Sequence, residues 1–421
     1  MEKNLISRRK FVSTTALSVG ALIIKPQLIR GSQANSVIRI GLLGCGNRGT
    51  TIAQAFVNNP QNNCRIVALA DLFDDQLQKA KKLWDDVATK KGYAGIDPKL
   101  MFKGPFAFQE IAKCDQCDMI ILSSPDYFHP QHLDAVVTAG KHCYCEKPAG
   151  VDVEGCKKFI DIGKRAEGKL SLDVGFIVRN APCFSEVVNR IHRGAIGKVS
   201  FGSLYYFAPT INYPDYPNAS PLERRIRQFY WDKVLSGDTI VDQDIHVIDM
   251  ANWAMGTHPE KAIGYGGRKV RQDTGNIWDN WALSFTYPGD IHMSFSAVQF
   301  GNFWDVGVRF IGDQGIGESN YNGFGRVTGN QPWSAVAVKG GSDFSTAGSF
   351  DGLGDANERK TALFVESIVS GKYHNQSREG AESALSAILG RMAAYSGKEV
   401  TWTDMMNSNQ SYQGQIDLTK L

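Results

Sequence analysis

The stretch Val37-Ile38-Arg39-Ile40-Gly41-Leu42-Leu43-Gly44-Cys45-Gly46-Asn47-Arg48-Gly49 decides the fold. An apolar run (Ile38, Ile40, Leu42, Leu43) leads straight into Gly44-x-Gly46-x-x-Gly49, and a helical pattern follows. Strand, glycine-rich turn and helix in this order make a dinucleotide-binding turn. Gly44 allows the tight turn, Gly46 lets the backbone approach a pyrophosphate, and Gly49 lets the helix pack closely on the strand. The free N–H groups at the helix start, with the positive end of its dipole, suit an anion. Gly44, Cys45, Gly46, Asn47, Arg48 and Gly49 are therefore candidate cofactor contacts.

A lone glycine pattern is weak, so its context decides. A second apolar run, Ile66-Val67-Ala68-Leu69-Ala70, ends in Asp71. A carboxylate at that spacing and at a strand end can accept both ribose hydroxyls of an adenosine. Asp71 would also repel a 2′-phosphate, and Leu72-Phe73 brings no arginine to hold one, which points to NAD. NADP is the alternative, because Arg48 within the glycine loop could meet a phosphate.

Further along, strand and helix periods alternate. Helical patterns cover 50–59, 74–88 and 107–113. Met119 to Ser124 is apolar on both faces, the mark of a buried parallel strand. The loop Pro125-Asp126-Tyr127-Phe128-His129-Pro130 follows, then a helix over 131–140. Lys141 to Cys145 is a strand that ends in Glu146-Lys147-Pro148, and Asp152 opens a helix to about Ala166. This alternation predicts an α/β fold that begins with a doubly wound parallel sheet of the Rossmann type. Its ligand would lie beyond the carboxyl ends of the strands, where Ser124, Pro125, His129, Glu146 and Lys147 fall. From about Gly168 the pattern changes. Leu170 to Val178 reads as a strand ending in Arg179-Asn180, and 182–193 as a helix. Alternating stretches at 199–207, 262–268, 281–287, 291–299 and 305–312 suggest a large, open, mainly antiparallel sheet. Residues 208–224 hold four prolines and read as a long loop, 340–354 as a Gly/Ser-rich loop, and two helices close the pattern at 357–370 and 378–396. The predicted organisation is a signal segment at 1–34, a dinucleotide-binding domain at 35–166 and a substrate-binding α/β domain at 167–421.

The glycine loop, Asp71, Ser124-Pro125-x-x-x-His129, Glu146-Lys147-Pro148 and Asp242-x-x-x-His246-x-x-Asp249 together resemble the Gfo/Idh/MocA family, which includes glucose–fructose oxidoreductase and inositol dehydrogenase. The resemblance implies that Lys147 sits near the nicotinamide and the substrate hydroxyl, and that Asp242 and His246, four residues apart on one helix, complete the site. It also implies a homo-oligomer formed through the second sheet.

Hydride transfer from a carbinol carbon needs a base for the hydroxyl proton. Histidine titrates near neutrality without help, whereas lysine needs a neighbouring cation or desolvation. Positions i and i+4 share a helix face, so Asp242 could orient His246 or hold a second hydroxyl. Lys147, His246 and Asp242 are the candidate catalytic residues, with His246 as base or Lys147 acting jointly with it. Arg179 and Trp231 join these three as candidate substrate contacts, and His129 binds or lines the site. Ordinary roles compete: His246 lies among Ile245, Val247, Ile248 and Met250 and could be a satisfied core histidine, Arg179 could be a structural ion pair, Asp244 should cap or pair, and Asp249 should pack structurally. Phe229-Tyr230-Trp231, Trp278 and Trp304 suit a sugar ring, though any one of them is more readily a core residue.

The amino-terminal Ser7-Arg8-Arg9-Lys10-Phe11, a mildly apolar stretch to Ile24 and Ser32-Gln33-Ala34 have the layout of a twin-arginine export signal, too short and polar for a membrane span. The expected location is periplasmic or otherwise exported. Residues 1–34 carry six Lys or Arg and one Glu, so the formal net charge of +3 becomes −2 without them. Neither value argues for nucleic acid. All eight cysteines lie between Cys45 and Cys183, without the pattern of a disulfide framework; Cys114-x-x-Cys117 has no second ligand pair, so no metal site is expected.

Three functions follow. The first is an exported NAD-dependent oxidoreductase acting on a sugar, glycoside or cyclitol hydroxyl, holding its cofactor because free NAD is scarce outside the cytoplasm. The second is a glycoside hydrolase working through transient oxidation and elimination. The third is a non-catalytic sugar-binding protein on the same fold.

Overall fold

A computed structural model describes residues 37–335 and 353–421. The expected signal segment at 1–34 and most of the Gly/Ser-rich stretch lie outside the described residues.

The first sheet grows from the glycine turn. Strand β1 (Ile38–Leu43) is buried on both faces and pairs in parallel with β2 (Cys64–Asp71) and β4 (Met119–Leu122). Between β1 and β2 runs α1 (Asn47–Asn58), and α2 (Asp74–Lys91) follows β2. β3 (Met101–Lys103) and α3 (Ala107–Lys113) precede β4, and α4 (His129–Thr138) leads to β5 (His142–Cys145). Asp152 caps α5 (Val153–Ala166) by accepting the Gly155 N–H at 2.7 Å. The order β3-β2-β1-β4-β5-β6 is that of a doubly wound Rossmann sheet.

Its sixth strand, β6 (Leu172–Val174), is a correction to the sequence-based layout. The run from Leu170 to Val178 is not a strand of the second sheet; it pairs in parallel with β5 for three residues and then tightens into a 3-10 turn at Ile177–Asn180. Consecutive buried apolar residues look alike in either sheet, so periodicity could not separate them.

α6 (Pro182–His192) enters the second region, followed by β7 (Val199–Ala208). The proline-rich excursion after β7 is not all loop: α7 (Pro221–Arg227) is capped by Ser220, whose Oγ accepts the Glu223 N–H at 3.1 Å. Short helices α8 (Lys233–Ser236) and α9 (Thr239–Asp242) lead to α10 (Ile245–Met255). β8 (Lys261–Gly267), β9 (Asn280–Tyr287), β10 (Ile291–Gln299), β11 (Asp305–Gly312), β12 (Ile316–Asn320), β13 (Gly325–Val327) and β14 (Trp333–Ala335) build the second sheet. It has nine strands, ending in the short β15 (Val400–Thr401), and is antiparallel except where β7 meets β10. One face packs on α6, α10 and α12 (Ser377–Ser396). The buried-then-partly-exposed alternation of β10 shows the two-faced pattern expected of such a sheet.

The chain then returns to the first sheet. α11 (Ala356–Val369) lays Phe364 against Phe56 and Tyr144, at ring distances of 6.0 and 6.1 Å. Lys360 meets Asp173 of β6 at 2.5 Å in a fully buried ion pair. Residues far beyond 166 thus complete the first layer. Among the described residues no helix is long and apolar enough to cross a membrane, and no cluster of ligating side chains could hold a metal. All eight cysteines are buried and free.

Candidate functional site

The carboxyl ends of β1, β2, β4 and β5 open into a cavity of about 750 Å³. The glycine turn forms one wall. Gly44 has φ of +93°, and a Cβ there would come within 2.3 Å of the Ser123 carbonyl. A Cβ on Gly49 would lie 2.1 Å from the Gly44 carbonyl. Both positions therefore require glycine. No side chain caps α1, so its first N–H groups remain available to an anion, and a Cβ on Gly46 would meet nothing within 4 Å. Open space above Gly46, uncapped amides and Asp71 at the end of β2 fit a dinucleotide. The Asp71 carboxylate is held in place by accepting the N–H of Cys45 at 2.7 Å and of Phe73 at 2.9 Å.

Arg48 is engaged within the cavity wall: its Nε donates to Glu146 Oε1 at 2.8 Å. Ser124 and Pro125 line the cavity, and Ser124 Oγ lies 2.9 Å from His132 Nδ1. His132 is stacked between Phe108 and Phe128, and burial pushes its imidazole down to about 3.

At the floor stand Lys147, Asp242 and His246. Lys147 follows β5, and its Nζ donates to the main-chain oxygen of Asp242 and lies 3.4 Å from Asp242 Oδ1. The predicted single helix carrying Asp242 and His246 is broken. α9 ends at Asp242 and α10 starts at Ile245. Asp244 N–H bonds back to Thr239, and His246 N–H donates to Gln243 O at 3.4 Å instead of to Asp242 O. Asp242 consequently does not orient the imidazole. Its Oδ2 accepts Gln243 Nε2 at 2.7 Å. His246 is buried, its Nδ1 has no partner, and burial with the Lys147 and Arg48 charges holds it well below its ordinary value. A neutral imidazole with an unpartnered ring nitrogen can accept a proton.

Three sequence-based assignments are corrected. Arg179 does not reach the cavity: its guanidinium grips Asp249 with two bonds of 2.7 and 2.8 Å, and Asp249 also accepts Ser383 Oγ. His129 is buried in the wall, Nδ1 against Pro148 O at 2.7 Å and Nε2 against Ser124 O at 2.8 Å, so it ties the two strand-end loops together. Trp231 donates to Ile211 O at 2.9 Å and borders a separate surface depression. Its neighbours Phe229 and Tyr230, and Trp304, line the cavity, whereas Trp278 stacks on Tyr395. Asp244 is wholly buried, with Gln299 Nε2 at 3.4 Å.

Other lining residues were passed over in the sequence. Asp126 sits in the loop after β4, 4% exposed; burial, then the charge of Asp242 and a hydrogen bond with it, raise its carboxyl well above the ordinary range. Its position directly after Ser124-Pro125 was the available signal. Tyr213, Gln243 and Arg227 had none, because they arrive from the second region. Asp238, in the left-handed region at φ +79°, anchors the start of α9 by accepting the Thr239 and Trp278 amides at 2.8 and 2.9 Å.

Fold and site define an α/β protein with an NAD-binding Rossmann layer. Residues 38–174 match the profile described as "Oxidoreductase family, NAD-binding Rossmann fold", and 184–317 match "GFO/IDH/MocA C-terminal domain". The chain belongs to the GFO/IDH/MocA family. It is 26% identical over 211 residues to a Glycosyl hydrolase family 109 protein of Solibacter usitatus, covering 48% of this chain and 45% of that one. It is 28% identical over 241 residues to an inositol 2-dehydrogenase of Rhizobium meliloti (55% and 62%), and 26% identical over 242 residues to a myo-inositol 2-dehydrogenase of Thermotoga maritima (58% and 62%). The chain thus spans less than two thirds of these curated relatives. Among solved structures, apo scyllo-inositol dehydrogenase of Lactobacillus casei has the same fold, with a TM-score of 0.67 at 19% identity over 88% of this chain and 99% of that one. Levoglucosan dehydrogenase in complex with NADH and levoglucosan gives 0.66 at 19%, over 87% and 99%.

Proposed function

We propose that the protein is an NAD-dependent oxidoreductase acting on a ring hydroxyl of a sugar, glycoside or cyclitol. One observation carries the reading: Lys147, Asp242 and His246 converge in the cavity that the glycine turn and Asp71 open. When bound, NAD supplies the hydride acceptor. Gly44–Gly49 and Asp71 would hold it. His246, neutral in this setting, takes the hydroxyl proton. Lys147, fixed by Asp242, donates a hydrogen bond to the same oxygen and steadies the negative charge that develops there. Phe229 and Trp304, both partly exposed on the cavity, offer aromatic faces to the ring. The relatives named inositol 2-dehydrogenase support a cyclic polyol. The test is NADH absorbance on mixing the protein and NAD with a panel of inositols, pyranosides and anhydrosugars. Absence of NADH with every polyol would sink the proposal.

The Solibacter usitatus relative favours a second reading, net glycoside hydrolysis through transient oxidation, with Asp126 as a neutral acid near the leaving group. Release of the aglycone from an aryl glycoside with no net change in NADH would place it first. We further propose export, carried by Arg8-Arg9-Lys10-Phe11 and tested by fusing residues 1–34 to a reporter, and self-association through the open face of the second sheet, where Phe201, Ile263 and Tyr265 are exposed.

A further inference from the structure

The excursion between β7 and α8 comes back over the first region. Its α7 ends in Arg227, whose side chain lies against the start of α2. Nη2 and Nη1 donate to Asp75 Oδ1 and Oδ2 at 2.8 and 3.0 Å, and Nε to Glu223 at 2.8 Å. The guanidinium carbon stands 3.8 Å from the centre of the Phe73 ring, with Tyr216 5.1 Å away on the same excursion. A planar cation between aromatic faces and a bidentate carboxylate is held in one orientation. Beneath this contact, Ile226 packs with Phe128 and Leu235, joined by Leu72, Phe73 and the carboxyl-terminal Leu418.

The location gives the contact its meaning. Asp71 marks where the adenosine ribose is gripped, and Leu72, Phe73 and Gln76 continue the wall beyond it. Arg227 and Tyr216 line the same cavity from the opposite side. We propose that Arg227 is a cofactor-retaining residue: bridged to Asp75 and stacked on Phe73, it closes the adenosine end of the cleft, and the dinucleotide leaves only when this bridge opens. The inference rests on the reading that NAD occupies the cleft, and it adds a residue and a physical barrier to that reading. It also gives a structural cause for slow cofactor exchange, which a protein working where free NAD is scarce requires.

The test loads the full chain with NADH, mixes it with excess NAD and follows loss of the bound-NADH fluorescence. Arg227→Ala and Asp75→Asn break the bridge from its two sides, and Arg227→Lys keeps the charge without the planar fork. Release should be about tenfold faster or more in the first two variants and intermediate in the third, because changes of this kind act mainly on dissociation rates. Release at the parent rate in both Arg227→Ala and Asp75→Asn would overturn the clasp while leaving the NAD reading intact. A parent protein that holds no NADH would overturn both. Should Arg227→Ala fold poorly, Asp75→Asn alone decides.

Discussion

Lys147 donates to the main-chain carbonyl of Asp242, a bond that exists because the helix breaks there. In an unbroken helix the His246 N–H would occupy that carbonyl. It goes instead to Gln243 O at 3.4 Å, and the freed oxygen takes the ammonium group. A backbone irregularity thus fixes the position of the lysine that the strand-end Glu146-Lys147-Pro148 motif delivers.

Replacing Lys147 by methionine should lower kcat/KM by about 10²–10⁴, mostly in kcat, as expected for a group that acts on the reacting oxygen. The residual activity carries a second signature. Lys147 is one of two cations that hold His246 down. Removing it raises the imidazole pKa, so the acid limb of the pH profile should move to higher pH. An acid limb that stays in place would separate His246 from the base role.

Asp126 gives a chemical test of protonation state. Burial and the Asp242 charge favour its neutral form. Asparagine mimics a neutral carboxylic acid better than alanine does. Asp126→Asn should keep kcat/KM within about tenfold of the parent and Asp126→Ala should fall about 10²-fold. Equal losses in the two variants would show that the negative charge matters instead.

Arg179 should govern stability and not turnover. Asp249 has no exposed side-chain surface, and losing its partner leaves a buried, unpaired carboxylate. Arg179→Ala should cost about 3–5 kcal/mol in a urea titration. The protein that remains folded should turn over within about threefold of the parent, since the residue lies outside the cavity.

His132 makes part of the stability acid-sensitive. Its folded-state value of about 3 lies below the ordinary 6.5. Above pH 6.5 the ring is neutral whether folded or unfolded. As pH falls below 6.5 the unfolded chain gains a proton that the folded chain refuses, so this residue's destabilisation begins there and grows until about pH 3. Between pH 7 and 5 the His132→Gln variant should gain about 2 kcal/mol relative to the parent, read from paired denaturant curves.

The sequence alone determined what depends on neighbours along the chain. The glycine turn, Asp71 at the end of β2, Lys147 at the end of β5 and the Asp152 cap all rest on local turn chemistry and on periods of two or 3.6, which a linear reading can see. The second sheet was visible as alternation, though neither its parallel β7–β10 pair nor the loss of β6 to the first sheet was. Only the tertiary structure decided which polar groups meet. Spacing of four residues placed Asp242 and His246 on one helix face, yet in the fold one short helix ends at Asp242 and the next begins at Ile245. Arg179 and His129 carry suitable chemistry, but their partners, Asp249 and the Ser124 and Pro148 carbonyls, consume it inside the fold. Arg227, 156 positions from Asp71 in the chain, reaches the adenosine end only because the excursion after β7 folds back. Contacts of that range depend on the packing of whole layers, and no local pattern in the sequence encodes them.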